Sequence, residues 1–475
     1  MKASRRFLVL GSCVVSLLLV VIAFVLAQNT FTEANAASGR VFKLREVSVF
    51  GAGNDDFLRG QMCRCQDKAF SEVAHYPAFV SQAPIFGSVR FGGRPDETNS
   101  GAVYYFAVDE SGGTGKGYNR FYFDANRDLD LCNDPVIKLQ KAPPDHGYKP
   151  NFSGIKAVAA FDFLKVNLGA NGGGPNPVEI MPRLLLTGNE TNTYRFMFFV
   201  RTHFFESNIK IAGKKFRAQL GNDYAISDFN SPGATLALNG GKSSFDWWGG
   251  DRISAMHKVN GRFFSFSASP SGDELTVHPY SGDLGTFEVG PGTRKLTKPN
   301  FSLTGSLEAR DWAVAAGGDI KGGRPVEVSR CQVPVGDYLP EFLTLNFGQL
   351  RIQLSQNYHS EGKRQSRDGR PNVYGITIRK DQPFVLDFAN QPEVMFTSPT
   401  NSQRIKPGDT LLVAAVLVDP KLDIMIRRLE DTSRKQTKDA EGKPLGYERN
   451  LSLDPTVIIT RTNGEKVAEG VMPFG

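Results

Sequence analysis

Asp124, Asn126, Asp128 and Asp130 stand at alternate positions in the run Asp124-Ala125-Asn126-Arg127-Asp128-Leu129-Asp130-Leu131-Cys132-Asn133-Asp134. Side-chain oxygens at that spacing converge when a loop curls tightly, and a hard cation such as Ca²⁺ is the ion they suit. The run departs from the helix-loop-helix calcium motif in three ways. Leu129 stands where the turn glycine belongs, Pro135 where the bidentate glutamate belongs, and the flanks read as strands. The expectation is a calcium-stiffened hairpin or interstrand loop holding a structural ion, with Asp109 or Asp134 as further carboxylates. The competing reading is an acidic turn whose Asp and Asn side chains cap their own backbone.

A second candidate is Asp246-Trp247-Trp248-Gly249-Gly250-Asp251, which holds two of the three tryptophans. Exposed indoles stack on sugar rings, so Trp247 and Trp248 are the candidate ligand-stacking residues for a glycan partner. Adjacent residues of a strand face opposite sides of a sheet, however, which sends at least one of the two into a core.

Other chemistry fails on inspection. Ser111-Gly112-Gly113-Thr114-Gly115-Lys116-Gly117 looks like a phosphate loop, but Glu110 replaces its first glycine and Gly117 its Mg²⁺-binding hydroxyl residue. There is no Gly-x-Ser-x-Gly elbow, no His-Glu-x-x-His and no local Cys/His constellation pairing a nucleophile with a base. With 49 acidic residues, carboxylate pairs of the glycosidase kind arise by accident, and their separation is not readable from sequence. No catalytic residue is assigned, and a non-enzyme is the expectation.

Four cysteines follow the first 36 residues: Cys63, Cys65, Cys132 and Cys331. In an oxidising compartment they can form two disulfides in three connectivities. One residue separates Cys63 from Cys65, so short a ring disfavours a bond between them, and pairing with Cys132 and Cys331 is expected. A single Cys-x-Cys with two distant partners lacks the close, repeated spacing of a zinc site.

The elements that must position these residues read as strands. Short apolar runs are cut by Gly, Asn, Asp and Pro clusters throughout a chain with 49 glycines and 35 phenylalanines. Strands are expected at 103–108, 120–123, 194–200, 262–267, 274–278, 342–345, 350–354, 373–378, 410–418 and 456–460. Ser269-Pro270-Ser271-Gly272-Asp273 has the residues of a hairpin loop between two of them. Residues 422–429 fit both a strand, through Leu422, Ile424 and Ile426, and a helix face, through Leu422, Met425, Ile426 and Leu429; their context favours the strand.

The chain opens with Lys2, Arg5 and Arg6 ahead of an apolar run from Phe7 to Ala27. About 20 apolar residues span a bilayer as a helix, whereas a cleaved signal carries roughly 7–15. The length favours a retained membrane anchor, while Val25-Leu26-Ala27 and Ala34-Asn35-Ala36 offer cleavage sites. Both outcomes place the remainder outside the cytoplasm, in the cell envelope or secreted. The net charge of +7 over 475 residues is not concentrated as in a nucleic-acid binder, and no nucleic acid partner is expected. Lys363, Arg364, Arg367 and Arg370 form the densest basic patch, within a polar stretch that reads as a solvated loop.

Gly117-Tyr118-Asn119-Arg120-Phe121-Tyr122-Phe123-Asp124-Ala125-Asn126-Arg127-Asp128 resembles exported, β-rich proteins of unassigned function from planctomycete-type environmental bacteria. So do Asn260-Gly261-Arg262-Phe263-Phe264 and 269–277. The resemblance covers short hairpins, implies compartment and architecture, and carries no activity or catalytic residues.

The expected fold is all-β and mainly antiparallel. It is a multi-domain β-sandwich assembly behind an N-terminal apolar export or anchor helix, ending in an immunoglobulin-like sandwich. Expected segments are 1–36, the signal or anchor; 37–190, the β-rich domain with the calcium loop; 191–397, a central β-rich region; and 398–475, the terminal sandwich. The function expected is a structural or binding role at the envelope. The rivals are an extracytoplasmic hydrolase of polysaccharide or peptidoglycan and a carbohydrate-binding module.

Overall fold

The computed structural model describes residues 39–474 apart from 51–60, 92–101, 115–116, 142–154, 167–176, 189–192, 223–227, 232–233, 240–250, 291–300, 310–311, 322–323, 356–374, 388–391, 400–402, 405, 407, 423, 439–441 and 443. The N-terminal segment 1–36, Trp247, Trp248 and the basic patch at 363–370 therefore lie outside the described residues.

The described residues form strands and turns and no helix, and nearly all strand pairs are antiparallel. The alternation that predicts strands is visible in their burial. In Gly336–Phe347 the side chains of Tyr338, Pro340, Leu343 and Leu345 turn inward while their neighbours are more exposed. Residues 424–429, ambiguous by sequence, lie in the strand Ile424–Lys438 with Ile424 and Ile426 buried on one face. The expected strand at 410–418 begins instead at Ala414, opposite Ser398, whose hydroxyl donates to the Leu412 carbonyl at 2.8 Å just before it. The expected hairpin around 269–273 is present, pairing Phe266 with Val277.

The largest sheet has 13 strands. Its main path runs Arg40–Lys43, Glu274–Pro279, Arg262–Ala268, Ala255–Val259, Ala313–Ala316, Phe301–Glu308, Gly336–Phe347, Leu350–Ser355, Ile424–Lys438, Ala414–Asp419 and Glu393–Ser398. Strand pairing thus continues on both sides of residue 398, through Leu350 opposite Asp431 to Leu354 opposite Ile426. The hairpin of Thr456–Thr460 and Lys466–Val471 stands as a separate pair. The expected boundary at 190/191 falls in the connection between Val178–Gly188 and Thr193–Arg201, which pair from Ile180 opposite Arg201 to Gly188 opposite Thr193.

The candidate loop grows from a smaller, two-layered unit. A four-stranded sheet orders Ile85–Phe91, Ala102–Glu110, Tyr118–Phe123 and Ile137–Lys138. Against it lies a five-stranded sheet containing Gln61–Arg64, Thr193–Arg201, Val178–Gly188, Ile155–Ala160 and Leu164–Val166. Phe91, Tyr104, Phe106, Phe121 and Phe123 from the first meet Ile180, Leu184, Met197 and Phe199 from the second in one core. Phe199 is its hub, edge-on to Phe91 at 5.3 Å and to Phe106 at 5.5 Å. Burying a ring of this size contributes about 1.5–3 kcal/mol.

The four-stranded sheet is covered on its other face as well. Phe86, Ala107 and Tyr122 pack with Val73 and Leu131, and with the half-buried Phe70, Tyr76, Phe79 and Tyr105. Double coverage explains why Ala102–Glu110 reads as an almost unbroken apolar run, AVYYFAV, before its two acids.

All four described cysteines are free thiols, which corrects the expected disulfides. Cys65 belongs to the core of the two-layered unit, Cys331 to the core of the largest sheet, and Cys132 is exposed on the acidic loop. Separate cores keep Cys63 and Cys65 apart from Cys331.

Candidate functional site

Tyr118–Phe123 delivers the chain into the acidic loop, and the Asp124 N–H donates to the Tyr105 carbonyl at 3.0 Å. Asp124 is fully buried. Its Oδ1 accepts the Asp128 N–H and its Oδ2 the Leu129 N–H, both at 3.1 Å. Further along, Asn126 Oδ1 accepts the Asp128 N–H at 3.0 Å, Asp128 Oδ1 the Asp130 N–H at 3.0 Å, and Asp130 Oδ1 the Cys132 N–H at 2.8 Å. Asp128 Oδ2 receives the side-chain amides of Asn126 at 3.0 Å and Asn133 at 2.7 Å. These are successive turns capped by the side chains themselves.

The loop is tight enough to force two residues out of the common backbone regions. Arg127 has φ 61° and Leu129 φ 66°. Leu129 stands at the position where the helix-loop-helix calcium motif has its turn glycine. The backbone nevertheless takes the left-handed conformation there, at a cost of roughly 1–2 kcal/mol for a residue bearing a Cβ.

Anchors on both sides hold the loop. The Leu129 carbonyl accepts the Ala74 N–H at 2.8 Å, and the Leu131 N–H donates to the His75 carbonyl at 3.0 Å. Leu131 is fully buried in the aromatic cluster, and the Arg127 guanidinium lies 5.6 Å from the Tyr104 ring centroid.

Asp134 closes the base of the loop. Its Oδ1 accepts the Ala125 N–H at 3.4 Å, and its Oδ2 is buried with no hydrogen-bond partner. Burial, reinforced by the negative charges of Asp124, Asp128 and Asp130, pushes its carboxyl up to about 6. Burial also raises Asp124, against the backbone N–H groups that favour its charged form. Asp128 moves the other way, held below the usual carboxylate range by the hydrogen bond from Asn133.

The structure thus brings Asp124, Asn126, Asp128, Asp130 and Asp134 into one curled segment. Among the described residues, no three Asp, Glu, His or Cys side chains converge as a ready-made metal cluster. Asp109 does not join the loop. It is fully buried, and its carboxylate accepts the N–H groups of Val80 at 3.1 Å and Ser81 at 2.8 Å, with Arg120 at 3.8 Å.

Sequence reasoning passed over Glu110, which closes the failed phosphate loop. It is fully buried and accepts from the Thr114 hydroxyl at 2.7 Å, the Gly117 N–H at 2.9 Å and the Ser81 hydroxyl at 3.1 Å. The available signal was two adjacent acids ending an apolar strand. Also unforeseen was a polar cleft of about 220 Å³ where Glu46, Lys165, Glu179, Arg201 and His203 meet. Burial lowers the Arg201 guanidinium to about 10, and Thr202 donates to Glu179 Oε2 at 3.0 Å. These residues come from separate strands, so no local motif announces them. A larger cavity of about 530 Å³ opens between Leu417, Ile426 and Val394 of the largest sheet and Pro455, Met472 and Phe474 near the C-terminus.

No protein-family model, no curated protein and no solved structure matches this chain at a significant level.

Proposed function

We propose that the chain is a non-enzymatic, extracytoplasmic protein of the cell envelope with a structural or binding role, stiffened by Ca²⁺ in the loop from Asp124 to Asp134. The observation that carries the calcium reading is Asp134 Oδ2, a buried oxygen without a partner beside three more carboxylates. A divalent cation there satisfies that oxygen and offsets the mutual repulsion of Asp124, Asp128, Asp130 and Asp134. Coordination uses lone pairs left over by the backbone bonds, since each carboxylate carries about four acceptor sites.

The envelope reading rests on the basic start and apolar run of residues 1–27. In this reading the segment is a signal or a retained anchor, and the β-sheets stand beyond the membrane. The terminal segment 398–475 then serves as a sandwich-like module, a reading supported by Pro455, Met472 and Phe474 facing the sheet across the 530 Å³ cavity.

The test is thermal unfolding of the protein with Ca²⁺ and with excess EDTA, alongside cell fractionation. A calcium-dependent rise in melting temperature and recovery in the envelope or medium support the proposal. Identical melting in the two buffers overturns the calcium part, and recovery in the cytosol overturns the compartment.

The second reading, a hydrolase acting on polysaccharide or peptidoglycan, is favoured by the cleft in which Glu46 and Glu179 flank Arg201. It requires polymer cleavage that Glu179→Gln abolishes.

A further inference from the structure

Cys63 lies in the strand Gln61–Arg64, which among the described residues pairs only with Thr193–Arg201 and so forms an edge of its sheet. Met62 stands opposite Phe198, Cys63 opposite Met197 and Arg64 opposite Phe196, and the Cys65 N–H continues the ladder to the Arg195 carbonyl at 2.9 Å. In such a ladder, positions 63 and 65 share a face while 62 and 64 share the other. Burial follows that alternation: Met62 and Arg64 are exposed, Cys63 is half-buried and Cys65 is buried. Both sulfurs therefore face the same core, where the Cys63 thiol also approaches the Met197 carbonyl at 3.7 Å. The neighbouring Cys65 thiol and burial together raise the Cys63 thiol well above its ordinary range. Cys132 and Cys331 lie elsewhere, on the acidic loop and in the core of the largest sheet.

We propose that Cys63 and Cys65 form a dithiol that closes to an intrastrand disulfide by exchange with a small-molecule disulfide. Cys63, the more accessible of the two on its edge strand, reacts first. Because its surroundings hold the proton, exchange runs through the small thiolate fraction: the proton passes to solvent and that thiolate attacks one sulfur of the external disulfide. A bond from Cys63 to that sulfur forms, the external sulfur–sulfur bond breaks and one thiolate leaves. The Cys65 thiolate, deprotonated in turn, attacks the Cys63 sulfur, forms the Cys63–Cys65 bond and expels the second thiolate. Two protein thiols are oxidised, the external disulfide is reduced to two thiols, and the two protons from the cysteines end on those thiols.

Closure has a structural consequence. Same-face neighbours along a strand are spaced by about two rises of 3.3 Å, whereas disulfide-bonded Cβ atoms stand about 3.8 Å apart. The strand must buckle to close the ring, which loosens its ladder to Thr193–Arg201 and makes the bond readily reversible. The pair is a reversible redox site at the edge of the two-layered unit, independent of the calcium loop.

The test uses full-length protein, reduced and freed of reductant, then incubated with oxidised glutathione, alkylated in denaturant and digested with trypsin. Trypsin cuts after Arg59, Arg64 and Lys68, so cleavage within the ring leaves residues 60–64 and 65–68 joined only by the disulfide. The expected result is a rise of about tenfold in this linked species over a control kept in reductant. In Cys65→Ser it vanishes and glutathione remains on Cys63, while in Cys132→Ser it persists. Separate alkylation of the two peptides at saturating oxidised glutathione overturns the proposal, as does linkage of either peptide to those bearing Cys132 or Cys331.

Discussion

The fully buried carboxylate of Asp124 and the left-handed residue Leu129 are joined by a 3.1 Å hydrogen bond from the Leu129 N–H to Asp124 Oδ2. That bond ties the end of a doubly covered strand to the tip of the acidic loop. It makes Asp124 the keystone of the loop whether or not a cation is present.

Asp124→Ala removes the acceptor for two backbone N–H groups, those of Asp128 and Leu129. Bonds to a charged acceptor are worth about 1.5–3 kcal/mol each, and their loss is partly relieved by water, so a destabilisation of about 3 kcal/mol is expected. Urea denaturation measures it, with Asp124→Asn expected to retain part of the difference.

Calcium is expected to raise the melting temperature of the protein by about 5 °C at saturating concentration. Asp128→Ala and Asp134→Asn each remove most of that increment. Scanning calorimetry with Ca²⁺, Mg²⁺ and EDTA checks the effect, and Mg²⁺ is expected to act more weakly because it resists dehydration.

Without metal, stability is expected to fall as pH rises from about 4 to 6. Asp134 has its carboxyl pushed up to about 6 in the folded protein, against 3.8 for the ordinary group. Between those values the folded chain holds a proton that the unfolded chain has released, so raising the pH favours unfolding. Below about 4 both states are protonated and the contribution is constant. Melting curves in EDTA across this window show the slope, and Asp134→Asn flattens it. Because Ca²⁺ competes with that proton, its stabilising effect is expected to be larger at pH 7 than at pH 5.

Leu129→Gly is expected to change stability by less than about 1 kcal/mol, since relief at φ 66° balances the greater freedom of glycine in the unfolded chain. Leu129→Val is expected to cost about 2 kcal/mol, because a β-branched side chain tolerates the left-handed region poorly. Chemical denaturation of the two variants separates them.

Gly305→Ala tests the largest sheet. Gly305 has φ 146°, and a Cβ there would stand 2.1 Å from the Phe342 carbonyl oxygen of the paired strand. The adjoining strands must separate to admit it, with an expected loss of about 2–4 kcal/mol in urea denaturation.

Local features were legible in the sequence because they are written in neighbouring residues. Alternation marked Glu274–Pro279 and Leu350–Ser355, and the oxygens at 124, 126, 128 and 130 marked a curled loop. Pairings between distant segments were not legible. Arg40–Lys43 lies beside Glu274–Pro279, a partnership across almost half the chain that no periodicity encodes. The same limit hid the disposition of the cysteines. Counting residues between Cys63 and Cys65 argued against their contact, whereas the strand's alternation places both on one face. Asp109 and Asp134 looked equivalent as spare carboxylates. They part because the strand Ala102–Glu110 turns Asp109 toward the N–H groups of Val80 and Ser81, while Asp134 folds back on Ala125.

The short strand Arg40–Lys43 also sets how the protein bears mechanical load. It pairs with Glu274–Pro279 at one end of the largest sheet, a Lys43–Glu274 ion pair reinforcing it, and within two residues the chain enters a different sheet through Arg45–Ser48 beside His203–Ile211. A pull from the N-terminal side therefore acts on the Arg40–Lys43 ladder first and is shared between two sheets only beyond Leu44. In mechanical terms that four-residue ladder is the point of first loading, ahead of the two sheets behind it.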